Sequence, residues 1–216
     1  MRVLGIDTAA PVVGVAGWVD GELVAAEELR VSMGADAWLT PAVGRVLARL
    51  GGLDVVAVAA GPGAFTGVRV GVATALGLAL ARGVPVRAFS SLGARALLVP
   101  ADAGDGGPPE VIAALDARRG RAYAGRFHRG TGWAPLLEEG DLPPGDALAG
   151  PPAWVVGEGA IAFADAARAA GHQPLPEPAR SPLPAAWPLV LRTPDLDAGA
   201  VQIRYLRLPD VERSAD

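Results

Sequence analysis

A strand, a glycine turn and a helix are written in one continuous run from Asp54 to Arg82, and few folds accommodate that run. Asp54-Val55-Val56-Ala57-Val58-Ala59 is short, apolar and rich in β-branched residues, the pattern of a buried strand. Gly61-Pro62-Gly63 then breaks the strand and turns the chain. Thr66 to Ala81 lacks proline and is rich in Ala, Leu and Val, as a helix would be. Within it Gly67, Gly71 and Ala75 recur every four residues, with Ala79 next in line. Residues four apart stack on one helix face. The helix therefore carries a groove almost without side chains, although an interior glycine costs roughly 1 kcal/mol. Such a groove fits close packing on the chain's own sheet, or a helix–helix contact with a second protein. In the second case Gly71→Leu would abolish pairing and spare the fold.

Three familiar motifs are excluded. Gly63 to Gly67 has nearly the length of a phosphate-binding P-loop, but Val68 and Arg69 stand where Lys and Ser/Thr are needed. The dinucleotide fingerprint fails because Thr66 occupies the place of the third glycine. Arg69 and Arg82 bracket an apolar run too short to cross a bilayer, so no membrane association is expected.

With 216 residues, 51% apolar and 19% charged, the composition is that of a globular chain of one large or two small domains. There is no cysteine, hence no disulfide, thiolate metal site or thiol nucleophile. The net charge is −4 and there is no basic run, so strong nucleic-acid binding by this chain alone is not indicated. The apolar run Val3 to Ile6 is too short for a signal peptide, and a cytoplasmic location is expected.

In chain order, Val3–Ile6, Val12–Val19 and Glu22–Arg30 read as a three-stranded meander, with Asp20-Gly21 as its hairpin turn. Leu39, Val43, Val46, Leu47 and Leu50 recur at helical spacing over 37–50. After the glycine-turn helix come a strand at 83–89 and a short helix near 92–98, capped by Ser90-Ser91. The order β-β-β-α-β-α-β-α is that of a lobe of the α/β, ribonuclease H-like/actin-like fold, by analogy. A Gly/Asp/Pro-rich linker at 100–109 precedes a second set: strands at 111–115, 121–128, 136–142 and 154–156, and helices at 161–170 and 183–192. The expected division is a first lobe over 1–100, a reduced second lobe over 101–193, and a tail over 194–216 that packs back on the first lobe.

Asp7-Thr8 ends the first strand, where actin-like kinases bring an aspartate to the metal–phosphate. A turn aspartate capping backbone amides is the competing reading, and no second convincing carboxylate accompanies it. His128 and His172 are the only histidines and lack metal-ligand spacing. Ser90-Ser91 has no nucleophile-elbow context. Trp38 and Trp187 read as partly buried anchors on helices, and Glu138-Glu139 as a solvated strand end.

The run Gly61-Pro62-Gly63-Ala64-Phe65-Thr66-Gly67-Val68-Arg69-Val70-Gly71 closely resembles the signature of the TsaB (YeaZ) family. The resemblance extends to Leu4-Gly5-Ile6-Asp7-Thr8-Ala9, runs through Ala114-Leu115-Asp116-Ala117-Arg118-Arg119-Gly120-Arg121-Ala122-Tyr123, and reaches Tyr205-Leu206-Arg207. It departs at Ala64, Ile203 and near Asp36, where the family usually has Ser, Pro and often His.

This resemblance implies a two-lobed, non-catalytic relative of TsaD. Such proteins pair with TsaD and work with the ATPase TsaE. Together they place a threonylcarbamoyl group on the adenosine beside the anticodon of tRNAs reading codons that start with A. The metal and transfer chemistry belong to TsaD, whose two metal-binding histidines have no counterpart between Gly34 and Pro41. No metal or catalytic residue is expected here, and tRNA is met only through the assembled complex. Alone, such a chain forms a homodimer through the surface that binds TsaD, built from the first two helices. The resemblance thus marks Leu39, Val43, Val46, Gly67, Gly71, Ala75 and Leu78 as interface residues, and favours the partner reading of the glycine groove. It leaves Asp7 and Thr8 as nucleotide-proximal positions and ATP or ADP as a ligand at the partner interface. The alternatives are a small actin-fold ATPase or kinase, which would need a second acid facing Asp7, and a peptidase, which lacks a metal pair or nucleophile.

Overall fold

Leu4 and Ile6 point to one side of the first strand and Val3 to the other, so this strand is the middle of a two-faced sheet. The computed structural model describes residues 1–30, 35–99, 107–131, 134–175 and 180–207. In it β1 (Arg2–Asp7), β2 (Val12–Val19), β3 (Glu22–Arg30), β4 (Val55–Ala59) and β5 (Val86–Phe89) form one sheet in the order β3-β2-β1-β4-β5. The meander is antiparallel, and β4 and β5 join it in parallel. Asp20 and Gly21 both have positive φ, at 50° and 95°, as a two-residue hairpin with the twist of its strands demands.

Leu4, Ile6, Val15, Val56 and Val58 meet α1 (Ala35–Leu50) and α2 (Phe65–Arg82) on one face of this sheet. The opposite face, with Val3, Trp18 and Ala57, is covered by Leu183–Ala185, a 3-10 turn, and by α7 (Trp187–Arg192). The expected second lobe therefore stops short of 193. Leu183, Ala186, Leu189 and Val190 return to the first lobe, because Val3 and Trp18 offer an apolar face that would otherwise be bare.

The second sheet repeats the first. β6 (Glu110–Asp116), β7 (Ala122–His128), β8 (Pro135–Leu142), β9 (Trp154–Val156) and β10 (Gln173–Pro174) lie in the order β10-β9-β6-β7-β8. Again a central strand pairs antiparallel with the strand that follows it and parallel with the fourth. Its outer face carries α4 (Pro144–Ala147), α5 (Glu158–Ala162) and α6 (Ala164–Ala169). The helix expected at 161–170 is thus two short ones broken at Phe163. The two-lobed ribonuclease H-like/actin-like α/β fold is the one adopted, with a second lobe of shorter elements.

Between the sheets sits α3 (Ser91–Ala96), every residue of which is buried. Ala94 and Leu97 pack on the first sheet, and Leu92, Ala96 and Val99 pack on Val111, Ala113 and Phe127 of the second. Ser90 caps it, accepting from the Leu92 and Gly93 amides at 3.1 Å each. The linker expected at 100–109 lies largely outside the described residues.

Candidate functional site

Asp7 ends β1 at the cleft between the lobes, fully buried. Its Oδ1 accepts the Ala9 amide at 2.9 Å, the turn cap expected from sequence. Its Oδ2 lies 3.1 Å from Nη1 of Arg95, whose side chain is 2% exposed. The same Arg95 nitrogen donates to the Ser91 carbonyl at 2.9 Å, and its Nε is 3.9 Å from Glu158 Oε2 at the start of α5. A second carboxylate does approach Asp7, but a guanidinium stands between them. The arrangement therefore does not fit a metal–phosphate at Asp7: the charge such a group would bring is already supplied by Arg95. Among the described residues no cluster of His, Asp and Glu has metal-holding geometry.

Thr8 is tied to the glycine-turn helix. Its Oγ1 donates to the Gly67 carbonyl at 2.7 Å. A Cβ at Gly67 would sit 2.2 Å from the Thr8 carbonyl, and one at Gly71 would sit 2.2 Å from Thr8 Oγ1. Ala75 and Ala79 are buried in the same row. The groove of small residues is filled by Thr8, directly after β1, with Ile6 of β1 behind it, so close packing on the chain's own sheet is what Gly67, Gly71 and Ala75 serve. Their expected role as the partner-facing groove is corrected accordingly, as is the prospect that Gly71→Leu spares the fold. Leu39, Val43 and Val46 are likewise core residues of α1 on that sheet, and Leu78 is half-buried.

The outward face of the two helices is different. On α2, Ala73, Gly77, Leu80 and Ala81 are exposed, Leu80 by 72%. On α1, Pro41, Gly44 and Ala48 are exposed, and a Cβ at Gly44 or Gly77 would meet nothing. Gly44, Leu47, Ala48, Gly52 and Arg82 line a shallow depression where the helices meet. A helix apolar on all sides is ordinarily buried, yet α2 leaves one whole side bare.

The glycine turn has its own cover. Gly61 has φ 100°, and a Cβ there would lie 2.6 Å from the Arg204 carbonyl. The Arg204 amide donates to the Ala60 carbonyl at 2.7 Å, and Ser91 donates from its amide to the Gly61 carbonyl at 2.9 Å. The Gly61–Pro62 peptide is cis. Next to it Arg69 lies 3.6 Å above the Phe65 ring and donates through Nε to the Tyr205 hydroxyl at 2.8 Å. The Phe65 and Tyr205 rings meet with centroids 5.4 Å apart, tilted by 40°. Gly61, Pro62, Gly63, Phe65, Thr66 and Arg69 thus lie where the tail crosses the first lobe, and Phe65 and Arg69 grip it.

The tail also reaches the second lobe. Arg204 Nη1 pairs with Glu139 Oε2 at 2.6 Å, and Ser90 donates its hydroxyl to the other oxygen of the same carboxylate. Burial pushes the Glu139 carboxyl above its usual range, and the Ser90 hydrogen bond and the Arg204 charge only partly offset this. Glu139 is not the solvated strand end its sequence suggests. Arg207 donates to the Ala117 carbonyl at 2.6 Å and lies 3.7 Å from Asp141.

Sequence reasoning missed Arg95, Glu158, Glu139 and the outward residues of α2. Only Arg95 left a local signal, as the one charge inside the apolar stretch Leu92 to Val99.

Residues 36–146 match the family model described as TsaD: tRNA N6-adenosine threonylcarbamoyltransferase. The chain is 36% identical over 135 residues to the Escherichia coli tRNA threonylcarbamoyladenosine biosynthesis protein TsaB, a match covering 60% of this chain and 56% of that protein. The chain thus spans little more than half the length of that relative. It is 30% identical over 162 residues to the TsaB of Bacillus subtilis, covering 66% of this chain and 69% of the relative. Among solved structures, YeaZ from Pseudomonas aeruginosa superposes with a TM-score of 0.76 at 26% identity, over 95% of this chain and 99% of that one.

Proposed function

This chain belongs to the TsaB (YeaZ) family, and we propose from that premise that it is a non-catalytic scaffold of tRNA threonylcarbamoyladenosine biosynthesis. It pairs with a TsaD-like catalytic subunit and works with a TsaE-like ATPase in the cytoplasm; alone it forms a homodimer. The observation that carries this reading is the outward face of α1 and α2. Ala73 and Gly77 with Gly44 and Ala48 make a strip of small side chains, with exposed Leu80 beside it and Arg45, Arg49, Arg69 and Arg82 exposed on the same two helices, on which another helix pair could lie closely.

Asp7 is the residue on which the absence of chemistry turns. An aspartate that serves a metal–phosphate must be reachable, and here it is enclosed and paired with Arg95. The same pair weighs against a small actin-fold ATPase or kinase, although Glu158 supplies the second carboxylate that reading requires.

Co-purification of the tagged chain with the TsaD-like protein of the same genome tests the proposal. A stable complex that restores threonylcarbamoylation with TsaE supports it, together with loss of that complex in Gly77→Arg. ATP turnover by the pure chain, with no pairing, would overturn it in favour of the ATPase reading.

A further inference from the structure

The tail does more than close the cleft: it gathers arginines that are dispersed in sequence. Arg204 and Arg207 lie at most about 10 Å apart along the chain. Arg204 sits beside the glycine turn, Tyr205 brings in Arg69, and Arg207 is anchored on Ala117, the residue before Arg118 and Arg119. Arg121 is tied to Asp141, the carboxylate that Arg207 also faces. Among the described residues Arg118, Arg121, Arg204 and Arg207 face the carboxylates Asp116, Asp141 and Glu139 here.

The β6–β7 turn has a further peculiarity. Arg118 and Arg119 both have positive φ, at 64° and 54°, and Gly120 follows at 69°. Glycine or asparagine adopts that backbone at lower cost than arginine. Arg118 is nonetheless a long, 82% exposed side chain, and Arg119 beside it is exposed. Two arginines held at positions that disfavour them point outward beside Ala117, on which Arg207 of the tail is anchored.

We propose that Arg118 and Arg119, with Arg204, form a contact surface for the phosphate backbone of an RNA held by the assembled complex. Arginine suits phosphate through its fork of donors, and an exposed tyrosine offers a face for an unstacked base. Arg118 and Arg119 lie on the β6–β7 turn of the second sheet, whereas the scaffold face is the outward side of α1 and α2, so these two arginines can meet RNA while that side is covered by protein. The proposal rests on the scaffold reading, since the chain alone has too few such contacts for tight binding.

Because both positions have positive φ, Arg118→Gly with Arg119→Gly removes the charge without straining the turn. The test is fluorescence anisotropy with a labelled in vitro transcript of a tRNA that reads a codon beginning with A, titrated with the complex over a salt series. The expected result is a roughly tenfold loss of affinity and a salt slope smaller by about one to two, from the loss of two phosphate contacts. Pairing with the TsaD-like subunit and the melting temperature should be unchanged. Unaltered affinity and slope in an intact complex would overturn the RNA surface and leave the scaffold reading standing. Loss of protein pairing in the double variant would also overturn it, making the surface a protein contact. Failure of the unaltered chain to pair would overturn the scaffold reading and this inference with it.

Discussion

Arg95 and Asp7 form an ion pair that neither lobe encloses alone: Asp7 ends β1 of the first sheet, and Arg95 rises from the helix wedged between the sheets, 3.1 Å away. Glu158 of the second lobe faces the same guanidinium at 3.9 Å. The pair fills the cleft with fixed, mutually cancelling charge.

Removing one partner of a buried pair strands the other. Arg95→Ala should therefore lower stability by about 3–5 kcal/mol in urea denaturation, since Asp7 loses its counter-charge out of reach of water. Arg95→Met with Asp7→Leu should recover much of the loss. A double variant as unstable as the single one would show that packing around the guanidinium, rather than charge, is what matters.

The two sides of α2 should respond in opposite ways. Gly71→Leu forces atoms into Thr8, where even a Cβ would sit at 2.2 Å, and should cost about 1–3 kcal/mol or more. A Cβ at Gly77 would meet nothing, and Gly77→Arg replaces an interior helical glycine, so the melting temperature should hold or rise. Size-exclusion chromatography with light scattering should show pairing abolished by Gly77→Arg in a folded protein.

The tail's hold on the first lobe passes through Arg69 and Tyr205. Tyr205→Phe keeps the tilted ring contact with Phe65 and removes the acceptor of Arg69 Nε. Hydrogen exchange should then speed up at the amides around Arg204, including the one that donates to Ala60, and remain unchanged in β4.

Glu139 gives a pH dependence whose sign can be stated. Its folded carboxyl titrates above the ordinary value of 4.5, so between that value and the raised one the folded state holds the extra proton. Stability contributed by this group is present below that window and falls as pH rises through it. The melting temperature of the wild type relative to Glu139→Gln should accordingly decline across weakly acidic pH. A flat difference would mean that Ser90 and Arg204 fully compensate the burial.

The first lobe was legible because its signals are local. Val55–Ala59 is apolar on both faces, Asp20-Gly21 suits only a tight hairpin, and Gly83 ends α2 in the left-handed conformation glycine favours. The second lobe was harder to read. Its β9 and β10 are three and two residues long, and its copy of the first topology resides in strand order alone.

By itself the sequence determined which segments of the first lobe are strands and helices, where the glycine turn lies, and which family motif it carries, since periodicity and turn chemistry act over a few residues. Only the tertiary structure decided which side of α2 is bare. A stripe of glycine and alanine fits β1 and a partner helix equally well, and Thr8 is 59 residues from Gly67. It alone decided that Leu183–Arg192 returns to the first sheet, because an apolar segment does not encode which of two apolar faces it will cover. It alone brought Arg95 to Asp7, Arg204 to Glu139 and Arg207 to Ala117. Those contacts join charges from distant parts of the chain, and they form only once two sheets, a wedged helix and a returning tail have enclosed the same space.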